Sequence, residues 1–153
     1  MVIDIFTNGF ARVELNNKWN LIDKKGNLLS QQWFDDIGYF NKDGLAQVIL
    51  NNKWNLIDKK GNFISQQWFD WIDDFDENGI ARVYLNDKWN FIDVNGNFIS
   101  QQWFDYVYNF NKNGFAIVIL NKKYNFIDTN GNFISQQWFN SFDETYGYLM
   151  NLQ

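Results

Sequence analysis

The sequence predicts an all-β protein built from four tandem repeats, and three observations lead to this prediction. First, one stretch of sequence starts at Lys18, Lys53, Lys88 and Lys123, so it recurs every 35 residues without insertion or deletion. Second, apolar residues alternate with variable residues ahead of each copy, which is typical of half-buried strands. Third, the chain contains no proline and shows no long helical pattern. A period of this size indicates a repeat architecture.

The first two strands of each copy follow from alternation and turn chemistry. Strand A is the alternating segment, with Ala46, Val48 and Leu50 as its apolar residues in the second copy. A two-residue turn follows, Asn51-Asn52 in that copy, because asparagine tolerates a left-handed backbone. Strand B comes next, at Lys18–Asp23 in the first copy, and always carries a β-branched Ile and an aromatic residue.

The second half of each copy is less sharply defined. A turn at residues 23–27 combines an Asp that can accept backbone N–H groups with a Gly suited to positive φ. The turn leads into strand C, predicted at residues 28–34. Two apolar positions three apart follow, Ile37 and Phe40 in the first copy, and they fit either a short fourth strand or a single helical turn.

The repeats are predicted to form a single repeat domain over residues 1–153. Residues 1–15 form a partial N-terminal unit, 16–50, 51–85 and 86–120 are full repeats, and 121–153 are a degenerate C-terminal capping repeat. Within this last unit, residues 146–152 read as a degraded strand A. Because atypical terminal units are typical of caps, we favour an open, solenoid-like stack of β-meanders. The alternative is a small closed four-bladed β-propeller.

The order of residues within a copy resembles the WG-containing repeat, which occurs in tandem in many bacterial and some eukaryotic proteins. The matching positions in the first copy are Trp19, Ile22, Asp23, Gly26, Asp35, Phe40, Gly44, Ala46 and Val48. Two departures are the asparagine that replaces the glycine after the tryptophan, and Ser-Gln-Gln in place of the usual Ile-Pro. The asparagines are Asn20, Asn55, Asn90 and Asn125. The resemblance implies a non-catalytic module with mostly unknown partners and supplies no active-site residues.

Charge and hydropathy argue against several classes of partner. The net charge is −5, without any cluster of Lys and Arg, so we expect no binding to nucleic acid or to an anionic membrane. No stretch approaches the roughly 18 apolar residues of a membrane-spanning helix. The N-terminus lacks the basic start and long apolar run of a signal peptide, and the expected location is therefore the cytoplasm.

The side chains available for catalysis or metal binding are few. The chain has no His and no Cys, the usual general base and thiolate nucleophile. Carboxylates recur in two columns: Asp23, Asp58, Asp93 and Asp128, then Asp35, Asp70 and Asp105. Catalysis needs a unique constellation, so capping of backbone N–H groups is the favoured role for these repeated residues. We therefore predict no enzyme activity and no cofactor. We also predict no bound metal, since each turn offers calcium only one obvious carboxylate.

Two aromatic ladders and one polar segment have two interpretations each. The ladders are Trp33, Trp68, Trp103 and Trp138, and Trp19, Trp54, Trp89 and Tyr124. Exposed rings would offer a platform for sugars or cations, whereas buried rings would form the core between meanders. We favour the second interpretation, in which the rings are buried. The invariant Ser-Gln-Gln segment would line a polar groove or, as favoured, form amide ladders between neighbouring repeats.

Binding is expected where the copies differ. Outward residues of strand A change from charged to apolar along the chain, and non-repeated aromatic residues follow strand C. Such aromatic residues anchor protein interfaces, although packing under a loop is the alternative. The predicted partner-binding residues are Ile49, Trp71, Arg82, Tyr84, Tyr106, Tyr108, Ile117 and Ile119.

The leading functional hypothesis is a non-enzymatic scaffold that binds a protein partner through this variable face. An inhibitor or immunity-type role would suit a small acidic domain. The alternative is a carbohydrate-binding repeat protein whose Trp ladders face solvent and whose weak sites act together. A second alternative is a self-associating structural protein, because an open stack has end strands that can template another copy.

Overall fold

The computed structural model describes residues 1–152, and the regular secondary structure in this range is mostly short β-strands. The strands are β1 (Val2–Ile3), β2 (Phe10–Leu15), β3 (Lys18–Asp23), β4 (Asp36–Ile37), β5 (Leu45–Leu50), β6 (Lys53–Asp58), β7 (Trp71–Ile72), β8 (Ile80–Leu85), β9 (Lys88–Asp93), β10 (Tyr106–Val107), β11 (Phe115–Leu120) and β12 (Lys123–Asp128). One helix, α1 (Phe142–Asn151), follows them in this range. Among the described residues, no helix has the length and apolar character that crossing a bilayer requires.

Over residues 1–152 the strands form four small antiparallel sheets, one for each repeat. The sheet orders are β1-β2-β3, β4-β5-β6, β7-β8-β9 and β10-β11-β12. The central strand of each sheet is the predicted strand A, and strand B is its six-residue neighbour. Of the two structures considered for the segment after strand C, the short strand is the one adopted. The prediction of an all-β protein with one antiparallel meander per repeat is confirmed.

The turn between strands A and B forms as its residues predict. In the second copy, Asn51 and Asn52 have φ angles of 53° and 64°, and the equivalent pairs in the other copies are also left-handed. Positive φ at both central residues defines the type I′ turn, whose twist matches that of a two-stranded hairpin. The turn therefore fixes the register of each hairpin.

The prediction of strand C at residues 28–34 is wrong, because only the two ends of this segment pair with β3. Leu28 forms a bridge with Ile22, and Phe34 forms one with Trp19. Between them the Ser30 hydroxyl oxygen accepts the Gln32 N–H at 3.0 Å, a local bond that competes with a strand ladder. The segment therefore carries the right apolar residues for a strand but not its continuous hydrogen bonding.

A buried asparagine in each repeat bonds the segment that strand C would have occupied. The asparagine that follows the first aromatic residue of strand B is 0% exposed in all four copies. In the third repeat, Asn90 Nδ2 donates to the Ser100 carbonyl at 2.8 Å, and Asn90 Oδ1 accepts the Phe91 N–H at 2.7 Å. The other three copies form the same two bonds. The two departures from the WG-containing pattern are therefore one structural feature, since the Asn binds the Ser-Gln-Gln segment.

Neighbouring repeats share apolar cores within each of two compact units. These units are Met1–Trp71 and Ile72–Gln153. In the first, Phe34 meets Phe63 of the next repeat edge-to-face, with ring centroids 6.0 Å apart. In the second, Phe104 meets Phe133 in the same way at 6.1 Å. Burial of each repeat against its neighbour is the basis of stability in repeat proteins. The assignment of residues 1–153 to a single domain stays a prediction.

The prediction of a degraded strand A at residues 146–152 is wrong, because most of this segment belongs to α1. The Ser141 hydroxyl oxygen accepts the Glu144 N–H at 3.2 Å, and the Glu144 carboxylate accepts the Asn140 N–H at 3.0 Å. These bonds satisfy amide groups at the helix start. Leu149 is buried with Phe126, and α1 therefore covers an apolar face of the last repeat.

We expect Ser141→Ala to lower the free energy of unfolding by about 1 kcal/mol, because the helix loses its N-cap acceptor. Chemical denaturation in urea measures this change. Ser141→Asp restores a side-chain acceptor at the same position and is expected to keep near-wild-type stability. An alanine variant as stable as the wild type would show that the cap contributes little to the packing of α1.

Candidate functional site

Six aromatic side chains form a continuous stripe on the second unit, and this aromatic stripe is the candidate functional site. In spatial order, the stripe consists of Tyr84, Trp89, Tyr106, Tyr108, Phe142 and Tyr146. Successive ring centroids lie 4.8, 5.4, 5.1, 5.2 and 5.9 Å apart, each within the range of favourable aromatic pairs. Tyr108, Phe142 and Tyr146 are 38%, 37% and 48% exposed, so one end of the stripe faces solvent.

Sheet register and helix periodicity align these rings. Tyr84 lies directly opposite Trp89 in the β8–β9 hairpin, where facing side chains come into contact. Tyr106 belongs to β10, and Tyr108 follows it by two residues on the same side of the extended chain. Phe142 and Tyr146 are four residues apart on α1, which places them on one helix face. Their rings stack with an interplanar angle of 10°.

Arg82 is held in place beside the half-buried end of the stripe. Its Nε donates to Asp73 at 2.6 Å, and its Nη1 donates to the Tyr106 hydroxyl and to the Val107 carbonyl, both at 3.0 Å. The guanidinium also lies 5.0 Å from the Trp89 ring centroid. Burial acts to lower the pKa of Arg82, but hydrogen bonds to Asp73 and Tyr106 outweigh it and raise the pKa. Arg82 therefore stays charged and positions the Tyr106 ring.

Three of the predicted partner-binding residues belong to the stripe, and Arg82 and Ile119 lie beside it. Ile119 is half-buried and directly opposite Tyr106 in the sheet register. Ile117 is buried: it is only 6% exposed and shares a core cluster with Phe126 and Leu149, because α1 covers this part of β11. We therefore remove Ile117 from the binding face.

Ile49 and Trp71 lie in the first unit. Trp71 is exposed, and its ring centroid lies 4.6 Å from that of Trp54. Ile49 is half-buried opposite the same Trp54 and lines a small cavity of about 140 Å³ together with Arg12. These two residues are thus a separate feature from the aromatic stripe.

Sequence reasoning missed the contribution of α1 to the stripe. Phe142 and Tyr146 are not among the predicted binding residues, because the repeat pattern predicts a strand at residues 146–152. The signal that indicates a helix is Ser141 followed three residues later by Glu144, the pattern of a capping box. Trp89 belongs to one of the repeated aromatic ladders, so its position does not predict a place on the variable face.

The ladder residues are neither a bare platform nor a fully buried core. All eight are half-buried in the structure. Trp68, Trp103 and Trp138 each contact an exposed phenylalanine five residues earlier, with ring centroids 5.2 to 5.4 Å apart. These tryptophans support neighbouring rings while keeping one part of their own surface in solvent.

Hydrogen-bonded ladders of Gln and Asn side chains are predicted between neighbouring repeats, but in three copies the second Gln of the Ser-Gln-Gln segment bonds within its own repeat. Gln32 Nε2 donates to the adjacent Trp33 carbonyl at 3.0 Å, and the equivalent Gln67 and Gln102 do the same. Each glutamine is thereby oriented by its own chain neighbour.

Both aspartate columns accept hydrogen bonds at turns or strand ends. Asp93 Oδ1 accepts the N–H groups of Asn95 and Asn97, both at 2.9 Å. Asp105 accepts the Lys88 ammonium and the Asn121 N–H, and these two bonds lower the pKa of Asp105. A general acid at neutral pH needs a raised pKa. The lowered pKa of Asp105 instead favours an ionised carboxylate that accepts hydrogen bonds. Within residues 1–152, no group of three or more acidic residues is placed to share a metal ion.

The net negative charge of the chain, −5, comes entirely from the half that carries the stripe. Residues 1–71 contain eight basic and eight acidic side chains, whereas residues 72–153 contain five basic and ten acidic ones. A surface with an excess of one sign attracts partners of the opposite sign and speeds their encounter. The aromatic stripe therefore lies in an acidic unit.

Comparison with solved structures finds low similarity. Hsv2 from Kluyveromyces lactis is 12% identical with a TM-score of 0.43, over 82% of this chain and 45% of that protein. A protein of unknown function from Bacteroides caccae is 15% identical with a TM-score of 0.33, over 83% of this chain and 56% of its own. The chain thus spans about half the length of each, and no conclusion on function follows. A comparison with functionally curated proteins yields no match.

Comparison with protein families finds one that accounts for most of the chain. The WG containing repeat matches residues 2–19, 21–54, 56–89 and 91–124. These matches follow one another at the spacing of the four sheets, and each later match joins strand B of one sheet to strand A of the next. The first three copies keep the family's tryptophan at the start of strand B and the fourth has Tyr124 there, and in all four copies asparagine replaces the glycine that follows. The chain therefore belongs to the WG-containing repeat family.

Proposed function

We propose that the protein is a non-catalytic repeat scaffold that binds a protein partner through the aromatic stripe. The observation that supports this proposal most strongly is the unbroken line of six rings, of which three are exposed. Tyrosine and tryptophan are enriched among the residues that dominate interface energies, and a contiguous apolar surface is typical of an interaction site.

Contacts within the protein also hold parts of the stripe in place. Arg82 holds Tyr106 through a hydrogen bond, and the N-cap at Ser141 anchors the helix that carries Phe142 and Tyr146. Side chains already fixed in one arrangement lose little conformational entropy on binding, so more of the contact energy contributes to affinity.

The partner surface expected from the charges is basic with apolar anchors. The ten acidic residues of the second unit outnumber its basic residues two to one. Complementary charge steers association and selects partners, while the rings supply the buried contact. The cytoplasm is the location that the sequence predicts for this interaction. The alternative is self-association, in which the partner is a second copy of this protein.

The proposal is tested by affinity capture with the wild type and with the triple variant Tyr108→Ser, Phe142→Ser and Tyr146→Ser. We expect the wild type to recover a basic protein from native host lysate and the triple variant to lose it, because a hot-spot ring contributes about 2 kcal/mol or more. The variant's circular dichroism and melting temperature show whether it stays folded.

Phe6→Ser provides the matched control, since it removes an exposed phenyl ring from the first unit. We expect this variant to recover the same protein as the wild type. Equal recovery by the triple variant and the wild type would contradict a role for the stripe. Recovery of the chain's own copies alone would favour self-association.

A further inference from the structure

A groove of about 610 Å³ lies between the third and fourth repeats, inside the second unit. The residues that matter for its chemistry are Phe98, Gln101, Gln102, Asn130, Asn132 and Phe133. The groove lining includes no charged side chain, although one fifth of the residues in the chain are charged. The site is therefore suited to an uncharged ligand.

The polar lining of the groove includes four residues with carboxamide side chains, beside Ser100. An Asn or Gln side chain offers both an N–H₂ donor and a carbonyl acceptor, which is what a hydroxyl group requires. The backbone N–H groups of Asn130 and Asn132 are bonded to Asp128 Oδ1 at 2.9 and 3.0 Å, so this loop is fixed while both side chains are exposed. Gln102 is oriented by its bond to the Trp103 carbonyl at 3.0 Å.

The apolar lining of the groove includes Ile99 and two phenyl rings, each supported by a tryptophan. Phe98 and Phe133 are both 43% exposed. Their ring centroids lie 5.4 Å from Trp103 and Trp138, in tilted or edge-to-face contacts that hold each phenyl ring in place. The negative face of an aromatic ring attracts the weakly positive C–H groups of an apolar surface.

We propose that this groove binds a neutral oligosaccharide. The C–H faces of the sugar rings stack on Phe98 and Phe133, and the hydroxyl groups exchange hydrogen bonds with Gln101, Asn130 and Asn132. A sugar ring joins an apolar face to a rim of hydroxyl groups, and this combination matches exposed rings beside carboxamides. The site is separate from the aromatic stripe, and it uses the tryptophans as supports and not as the stacking platform.

The first unit lacks this chemistry at the equivalent positions. Leu28 stands where the third repeat has Phe98, and Lys60 stands where the fourth repeat has Asn130. One aromatic ring is therefore replaced by an aliphatic side chain, and one amide by a cation. Leu28 is exposed, so Leu28→Ala removes a comparable apolar contact from outside the proposed groove.

The proposal is tested by NMR titration of the side-chain amide signals with neutral hexasaccharides: cellohexaose, maltohexaose, xylohexaose and chitohexaose. We expect at least one of these probes, at millimolar concentration, to shift the signals of Gln101, Asn130 and Asn132. Phe133→Ala and Asn132→Ala are each expected to weaken the affinity measured at the remaining signals about tenfold, whereas Leu28→Ala leaves it unchanged. An oligogalacturonate hexamer, which is anionic, is expected to produce no shift.

Absence of shifts with all four neutral probes would overturn the proposal. Equal binding by Phe133→Ala and the wild type, or equal binding of the anionic probe, would also overturn it. The stripe triple variant is expected to keep the sugar-induced shifts, and Phe133→Ala is expected to keep capture of the protein partner. Failure of one proposal is therefore distinguishable from failure of the other.

Discussion

Replacing Asn90 by alanine is expected to lower the free energy of unfolding by about 3 kcal/mol. The side chain is completely buried and bonds two backbone groups, the Ser100 carbonyl at 2.8 Å and the Phe91 N–H at 2.7 Å. Each buried backbone group left without a partner costs about 1 to 3 kcal/mol. Urea denaturation followed by tryptophan fluorescence measures the change.

Two further variants separate hydrogen bonding from loss of volume. Asn90→Asp keeps the shape and the acceptor for Phe91, but an ionised carboxylate cannot donate to the Ser100 carbonyl. Burial raises the pKa of such a carboxyl group, so this variant is expected to be least stable at neutral pH and to regain stability as acid protonates it. Asn95→Ala, in an exposed turn, is expected to change stability by less than about 0.5 kcal/mol. A loss at Asn90→Ala no larger than at Asn95→Ala would show that the buried bonds contribute little.

The hairpins were predictable because local chemistry and burial agree there. Alternating apolar residues indicated strand A, and a β-branched Ile with an aromatic residue indicated strand B. The structure places β3 at the predicted Lys18–Asp23. The Asn51-Asn52 turn supplies the left-handed backbone that such a hairpin needs. Each level of the sequence pattern points to the same structure, which is the condition for reliable prediction.

The prediction of strand C was wrong because the two ends of the segment have the apolar residues and the pairing of a strand, whereas its middle does not. Leu28 and Phe34 are apolar and pair with β3, but Ser30 between them bonds the backbone two residues ahead. Asn20 then takes over the bonding of the Ser30 carbonyl at 2.7 Å. The signal for this arrangement lies in two separated polar motifs, and their partnership depends on a contact across ten residues.

The candidate site was predictable only where it lies on strands or next to them. Tyr84, Tyr106 and Tyr108 stood out as aromatic residues that do not repeat, and the structure joins them through Trp89. The rest of the stripe depends on α1. Gly147 in its middle weakens intrinsic helix propensity, so the helix relies on its cap and on burial of Leu149. Tertiary packing of this kind leaves little trace in a repeat alignment.

Replacing Gly131 by alanine is expected to be more destabilising than the same change at Gly26, although both glycines occupy the same turn in their repeats. Both have positive φ angles, 83° and 89°, so an alanine at either position carries a backbone penalty of about 1 kcal/mol. A Cβ atom at Gly131 would lie 2.0 Å from the Ile99 carbonyl oxygen, whereas one at Gly26 would meet nothing within 4 Å. The difference between them therefore comes from contact with the preceding repeat.

The expected loss in free energy of unfolding is about 4 kcal/mol for Gly131→Ala and about 1 kcal/mol for Gly26→Ala, because overpacking against backbone adds about 1 to 3 kcal/mol or more. Gly61→Ala should be intermediate, since its Cβ would lie 2.5 Å from the Leu29 carbonyl oxygen. Urea midpoints of the three variants measure this order. Equal losses at all three positions would mean that only turn geometry requires glycine. The expected order instead means that close approach of one repeat to the next selects glycine at the second and fourth copies of this turn.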